Sequence, residues 1–272
     1  RVAYSKFPLQ HSTSSLSILQ AKIPAASFAS ISREEPAVFA CIEDQNIIKI
    51  DTTSLSVKPL YSHSSVVTAF SLSHKSQVLL SGDLTGNLSL WSNSSFCKME
   101  LKFMQIFSSQ FAPHGGVFGV GCGNGMIYLY DTPHHHLHRI LTGYQSPVTE
   151  IAFHPNCAYL GALSLEPTLR IWDLRLADTV RLFITQQNSS AMAFSHDGKS
   201  IAVFDGELKY FDFGKQELIF KKPLHMDKIE SLHFSMDSQY VYAVGQYGDI
   251  LCQDLKDEKQ PTQEIFNLNE RV

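Results

Sequence analysis

A period of about 41 residues runs through this sequence and limits its fold more than any other feature. Five apolar stretches end on a Phe and enter a polar turn, at Phe70, Phe111, Phe153, Phe194 and Phe234. The intervals are 41, 42, 41 and 40 residues. A second stretch with alternating apolar residues recurs as QNIIKID, GNLSLWS, GMIYLYD, PTLRIWD, GELKYFD and GDILCQD. Its marker residues are Ile50, Trp91, Tyr130, Trp172, Phe211 and Gln253, spaced 41, 39, 42, 39 and 42. Two independent anchors share one period, so the chain is an array of similar units.

Each unit reads as four short strands. In the fourth, VTEIAF (148–153) turns at HPN into AYLGAL (158–163), and Glu166-Pro167 turns into TLRIWD (168–173). TLRIWD alternates with period two, as a half-buried strand does, and TVRLFI (179–184) follows as the outer strand. No segment sustains the 3.6-residue period of a helix. Four strands per 40 to 45 residues is the mark of a β-propeller blade, so the fold class is all-β. Only 18% of residues are charged, while Ser numbers 32. That balance suits short strands and polar turns and excludes a coiled coil. The expectation is a single propeller over residues 1–272, with six blades in 25–268. Residues 1–24, which hold AYSKF and LSILQ, are expected to be an N-terminal closing segment. A seven-blade design is expected, its seventh blade incomplete or missing, and an opening Arg1 instead of Met fits a fragment.

The unit resembles the WD repeat, with Trp172-Asp173 as its literal dipeptide. That family buries a His–Ser–Asp–Trp tetrad in each complete blade. Here the resemblance implies partial sets. The second blade has His63, Ser81 and Trp91, with Thr85 where Asp belongs. The fourth has Ser164 and Trp172, with Tyr144 for His and Glu166 for Asp. The fifth has Asp205 with Phe211 for Trp, and the sixth has His225 with Tyr247 for Asp and Gln253 for Trp. Incomplete sets leave polar groups that need other partners.

Residues 146–183, with their FHPN turn, Tyr159-Leu160 pair and VRLF, resemble one repeat of a narrower family. It is the WD subunit shared by the transcription factor TFIID and the SAGA coactivator, the fifth TBP-associated factor and its paralogue. HMDKIESLHFSMDS (225–238) resembles a later repeat of that family. The resemblance covers roughly residues 25–255 and implies a non-catalytic nuclear scaffold in an RNA polymerase II complex. Its implied partners are histone-fold TBP-associated factors. The alternative is a WD adaptor for another assembly, such as a ubiquitin ligase or a trafficking complex, with a cytoplasmic site.

Other chemistries are weaker readings. His134, His135, His136 and His138 are ligand types, but consecutive side chains on an extended loop diverge, so a solvated loop is expected. GVGCGNG (119–125) lacks the third glycine of a dinucleotide loop and any following helix. Asp83, Glu150, Glu166, Asp205 and Glu230 are scattered, with nothing marking a catalytic pair. Ser81 and Ser164 lack the nucleophile elbow. The net charge of −4 and the short, acid-mixed runs Lys221-Lys222 and Lys256–Lys259 argue against nucleic acid as direct partner. No apolar run reaches 18 residues, so no membrane partner is expected. Cys41, Cys97, Cys122, Cys157 and Cys252 form no CxxC pair and read as small apolar residues. Neither cofactor nor metal is expected, and no binding residue is assigned.

Overall fold

The structure, a computed structural model, describes residues 26–266 apart from 33–34, 55, 74, 93–95, 102–103, 187–188, 225, 227–228, 247–248 and 257–261. Every regular element among these residues is a strand. The first blade comprises β1 (Ala26–Ile31), β2 (Ala37–Ile42), β3 (Asn46–Asp51) and β4 (Val57–Ser62). The second comprises β5 (Val67–Ser73), β6 (Val78–Asp83), β7 (Asn87–Trp91) and β8 (Phe96–Glu100). The third comprises β9 (Ile106–Phe111), β10 (Val117–Cys122), β11 (Ile127–Asp131) and β12 (Leu137–Leu141). The fourth comprises β13 (Val148–Phe153), β14 (Tyr159–Ser164), β15 (Thr168–Asp173) and β16 (Asp178–Ile184). The fifth comprises β17 (Ala191–Phe194), β18 (Ser200–Phe204), β19 (Glu207–Asp212) and β20 (Glu217–Pro223). The sixth comprises β21 (Ile229–Phe234), β22 (Tyr240–Gly245), β23 (Ile250–Asp254) and β24 (Gln263–Phe266).

Each blade is an antiparallel meander, and the six stand in a ring as a six-bladed β-propeller. Successive inner strands, β1, β5, β9, β13, β17 and β21, pack against one another in that order. β24 is the sixth blade's own fourth strand, so that sheet is complete without a strand from the N-terminus. Residues 1–24, the expected closing segment, lie outside the described residues.

Pairing corrects one anchor. The innermost hairpins are joined by Phe111↔Phe118, Phe153↔Leu160, Phe194↔Ile201 and Phe234↔Val241. In the second blade the same position is Leu72, opposite Leu79, while Phe70 lies two residues earlier opposite Ser81. Positions 70 and 72 share a face because side chains alternate, so the bulky ring moved without a change of side. In the fourth unit the second and fourth strands begin at Tyr159 and Asp178, one residue from the expected boundaries.

The blades are held by their shared cores. Phe39, Cys41 and Ile47 meet Val67 and Leu79 between the first and second blades. Leu80, Leu88 and Leu90 meet Phe118 and Val120 between the second and third. Ile127 and Leu129 meet Ile151, Leu160 and Trp172 at the next junction. Leu163, Leu169 and Ile171 meet Ile201, Val203 and Phe211 beyond it. Ala202, Phe204 and Leu208 meet Leu232, Phe234 and Val241 between the fifth and sixth. Each fully buried Leu, Ile or Phe contributes about 1.5–3 kcal/mol by leaving water. This is why second strands such as β14 and β18 are apolar on both faces.

Candidate functional site: the outer edge of the fourth blade

The polar groups beneath the blade surfaces fix the loops, and they depart from the sequence expectation in one blade. His63 Nδ1 donates to the Asp83 carboxylate at 3.3 Å, and the Ser81 hydroxyl donates to His63 Nε2 at 2.7 Å. A carboxylate only accepts, so Nδ1 carries the proton. Asp83, not the turn position Thr85, therefore supplies the acid. Its carboxylate also accepts from the Thr85 and Asn87 backbone N–H groups at 2.9 and 3.0 Å. Thr85 Oγ1 donates to it at 2.7 Å. Burial pushes the His63 pKa down, while its bond to Asp83 opposes that shift. Trp91 is only partly buried and packs on Phe96 at 6.0 Å.

The fourth blade keeps Ser164 and Trp172 of the set but bonds them to other partners, with Tyr144 and Glu166 in place of His and Asp. Tyr144 Oη donates to Ala162 O at 2.6 Å, lies 2.8 Å from Thr168 O and accepts from Arg170 N–H at 3.0 Å. Burial raises the phenol's pKa. Trp172 Nε1 donates to Thr142 O at 3.1 Å, and its ring meets the Tyr144 ring edge-on at 5.7 Å. Glu166 accepts from the Gln145 and Ser146 backbone N–H groups at 2.6 and 3.2 Å, and Ser164 Oγ accepts from Glu166 N–H at 3.0 Å. Thus β15 is locked to the loop before β13. In the fifth blade Asp205 accepts from Gln186 N–H at 2.7 Å and Lys209 Nζ at 2.6 Å, and Phe211 packs on Phe183 at 5.1 Å. In the sixth, Gln253 Oε1 accepts from Lys222 Nζ at 2.7 Å and Thr262 Oγ1 at 3.1 Å. His225 and Tyr247 lie outside the described residues.

The locked β15 carries β16 on its outer side. Arg181 and Phe183 turn inward: the Arg181 guanidinium lies 4.0 Å from the Phe213 ring centre, and Phe183 is buried. Alternation then puts Val180, Leu182 and Ile184 on the outer face, 40%, 52% and 84% exposed. β16 is the edge of its sheet, so its outward N–H and C=O groups have no ladder partner within the blade. An apolar row on an open strand edge, held by a rigid sheet, can pack an apolar surface or take a further strand. Sequence reasoning placed TVRLFI outermost but missed this surface. The available signal was an edge strand with large apolar residues on both faces.

The other candidate residues are engaged separately. His134 Nδ1 bonds the Asp131 carboxylate at 3.0 Å on an exposed turn, and among the described residues no three His, Cys, Asp or Glu side chains converge on a metal-sized site. Asp83, Glu166 and Asp205 serve different blades, as above. Glu150 lies on β13, where it accepts from Met192 N–H at 2.7 Å, and Glu230 is exposed on β21. Within GVGCGNG, β10 ends at Cys122, and the turn needs Gly125 at φ +79°, tight against the Tyr144 backbone. Cys41 and Cys122 are buried thiols, and burial pushes Cys122 up to about 12. Among the described residues no helix is long and apolar enough to cross a membrane.

The six sheets form a β-propeller, and the His63–Ser81–Asp83 set and Trp172-Asp173 are where its second and fourth blades resemble WD repeats. The family description "WD domain, G-beta repeat" matches residues 54–92 and 136–173, each running from the outer strand of one blade (β4, β12) through the first three strands of the next (β5–β7, β13–β15). The chain is similar to Periodic tryptophan protein 2 of Arabidopsis thaliana, 27% identical over 158 residues, 55% of this chain and 18% of that protein. It is similar to Transcription initiation factor TFIID subunit 5 of Caenorhabditis elegans, 29% identical over 117 residues, covering 42% and 18%. Meiotic recombination protein rec14 of Schizosaccharomyces pombe is 28% identical over 121 residues, covering 43% and 40%. The matched stretches thus span less than half of these relatives, and several different WD proteins are equally near.

Proposed function

We propose that this chain is a non-catalytic scaffold that holds protein subunits of an RNA polymerase II transcription complex of the TFIID or SAGA type. The observation that carries the scaffold reading is the apolar outer row of Val180, Leu182 and Ile184 on a rigid, open strand edge. Large exposed apolar patches on folded domains mark partner surfaces. The hydrogen-bonding carboxylates and hydroxyls described above are taken up in holding loops. The TFIID-type assignment draws support from the resemblance of residues 146–183 and from the TFIID subunit 5 relative. On this reading the partners are histone-fold TBP-associated factors and the protein is nuclear.

The relatives named for other roles favour a second reading, a WD adaptor serving a different assembly. Affinity purification of the tagged full-length protein separates the two. Stoichiometric recovery of TBP-associated or SAGA subunits supports the first reading. Recovery of a different complex without them supports the second.

A further inference from the structure

The marker position at the end of the third strand is buried in five blades, as Ile50, Tyr130, Trp172, Phe211 and Gln253. Trp91 is the exception and is only half-buried. The cause lies in its neighbours. The Trp172 ring meets Tyr144, and its Nε1 is held by Thr142 O. Trp91 instead stands opposite Phe96 of β8, which is 45% exposed. Among the described residues the Trp91 Nε1 has no acceptor. Phe96 in turn meets the half-buried Tyr61 of β4 at 5.0 Å. Tyr61, Phe96 and Trp91 thus form one continuous aromatic strip at the outer seam between the first and second blades. Beside it opens a groove of about 230 Å³, where Trp91 and Leu60 face Lys49, Lys58, Asp51 and Ser56.

The charge left over around this strip is positive. Lys58 lies opposite Lys49 across β3 and β4, and like charges so placed repel. Lys49 is paired with Glu35, but among the described residues Lys58 has no acid partner. Alternation along β8 puts Lys98 on the face of Phe96, also without an ion pair among the described residues. Asp51 is turned into its own loop, where its Oδ1 accepts from the Thr53 and Ser54 N–H groups at 2.8 and 2.9 Å. The acid on the same face of β8, Glu100, ends that strand beyond Lys98. Two lysines without a counter-charge therefore flank the three rings, one on each wall of the seam.

We propose that this strip docks a proline-rich, acidic segment of a partner protein in the polyproline II conformation. Aromatic-lined grooves take such segments because the chain is already extended and loses little entropy on binding. Its carbonyls have no internal partner, so one of them can accept from Trp91 Nε1. With three residues per turn, an acid at every third position runs along one face of the segment. Lys58 and Lys98 supply the complementary charge, which fixes the partner as acidic. The site lies on the first two blades, apart from β16 on the fourth, and holds whichever complex the protein serves.

The chain has two tryptophans, so its nuclear magnetic resonance spectrum carries two indole N–H signals, and Trp91→Phe assigns them. The probe is a peptide of three Pro-Pro-Glu repeats, titrated into the full chain. Peptides of three Pro-Pro-Lys and three Gly-Ser-Glu repeats are the controls. The expected result is a saturable shift of the Trp91 signal with the Pro-Pro-Glu peptide, an unmoved Trp172 signal, and binding of either control weaker by about tenfold or more. Lys58→Glu and Phe96→Ser, both at exposed positions, are expected to weaken binding by about tenfold while the melting temperature stays that of the wild type. No shift with the Pro-Pro-Glu peptide would overturn the proposal. So would equal binding of the Gly-Ser-Glu peptide, which carries the charge without the proline helix, or of the Pro-Pro-Lys peptide, which carries the helix with the wrong charge. The peptide comparison is made on the wild type and decides the matter even where a variant fails to fold.

Discussion

The Met192 backbone N–H donates to the Glu150 carboxyl at 2.7 Å, tying the inner strand of the fourth blade to that of the fifth. Earlier in the ring the same task falls elsewhere. Phe111 N–H donates to Ser71 Oγ at 3.3 Å, and Phe153 N–H donates to Gln110 Oε1 at 2.6 Å. Ser71 and Gln110 stand one residue before the anchors Leu72 and Phe111. In the fourth blade that position is Ala152, which has no polar atom to offer. Glu150, two residues back on the same face, takes over.

This substitution makes the fourth-to-fifth junction pH-dependent. Burial pushes the Glu150 carboxyl from an ordinary value of 4.5 up to about 8, with the Met192 N–H partly opposing. A raised carboxyl pKa means that the folded state favours the neutral acid. Its contribution is fully present below pH 4.5 and is lost as pH rises through 8. Glu150→Gln, a neutral isostere like Gln110, is expected to raise the melting temperature by several degrees at pH 8.5 and to change it little at pH 4.5. Calorimetry at the two pH values checks this.

Phe153 closes the innermost hairpin of the fourth blade and packs with Leu160 and Ile127 at the junction with the third. Phe153→Ala is expected to cost about 3–5 kcal/mol, the range for a truncated buried Phe. Urea denaturation gives the number, and an unchanged midpoint would contradict its place in the shared core.

Asp83 holds the second blade together more than Thr85 does. Asp83→Ala leaves His63 and two backbone N–H groups without their acceptor, so a loss of about 3 kcal/mol is expected. Thr85→Ala removes one bond, at about 1 kcal/mol. Chemical denaturation of both variants ranks the two positions. His63 also carries a pH signature of opposite sign to Glu150. Its depressed pKa keeps the folded ring neutral, so its contribution is present above about 6.5 and is lost as pH falls.

The period, the four-strand unit and the near absence of helix were legible because apolar alternation and turn residues are local signals. The marker positions Ile50, Trp91, Tyr130, Trp172, Phe211 and Gln253 all fall at the ends of third strands. What escaped depends on neighbours distant in sequence. Asp83 lies only two residues from Thr85, but which of them reaches His63 depends on where the strand ends and the turn begins. Tyr144 was legible as a replacement for His, yet its bonds to Ala162 and Thr168 required the paired sheet. The outer row of β16 was hidden because TVRLFI is apolar on both faces, and only the ring shows which face is covered.

The most direct test of the scaffold account compares the wild-type chain with a Leu182→Glu/Ile184→Glu double variant, each tagged and purified from its native cells. Both side chains are exposed, so the variant's melting temperature should match the wild type. The account predicts that the subunits recovered in stoichiometric amounts with the wild type fall by about tenfold or more with the variant, since a charge on a desolvated apolar contact costs at least 1.4 kcal/mol. Equal recovery by two equally stable proteins would contradict the fourth-blade edge as the docking surface.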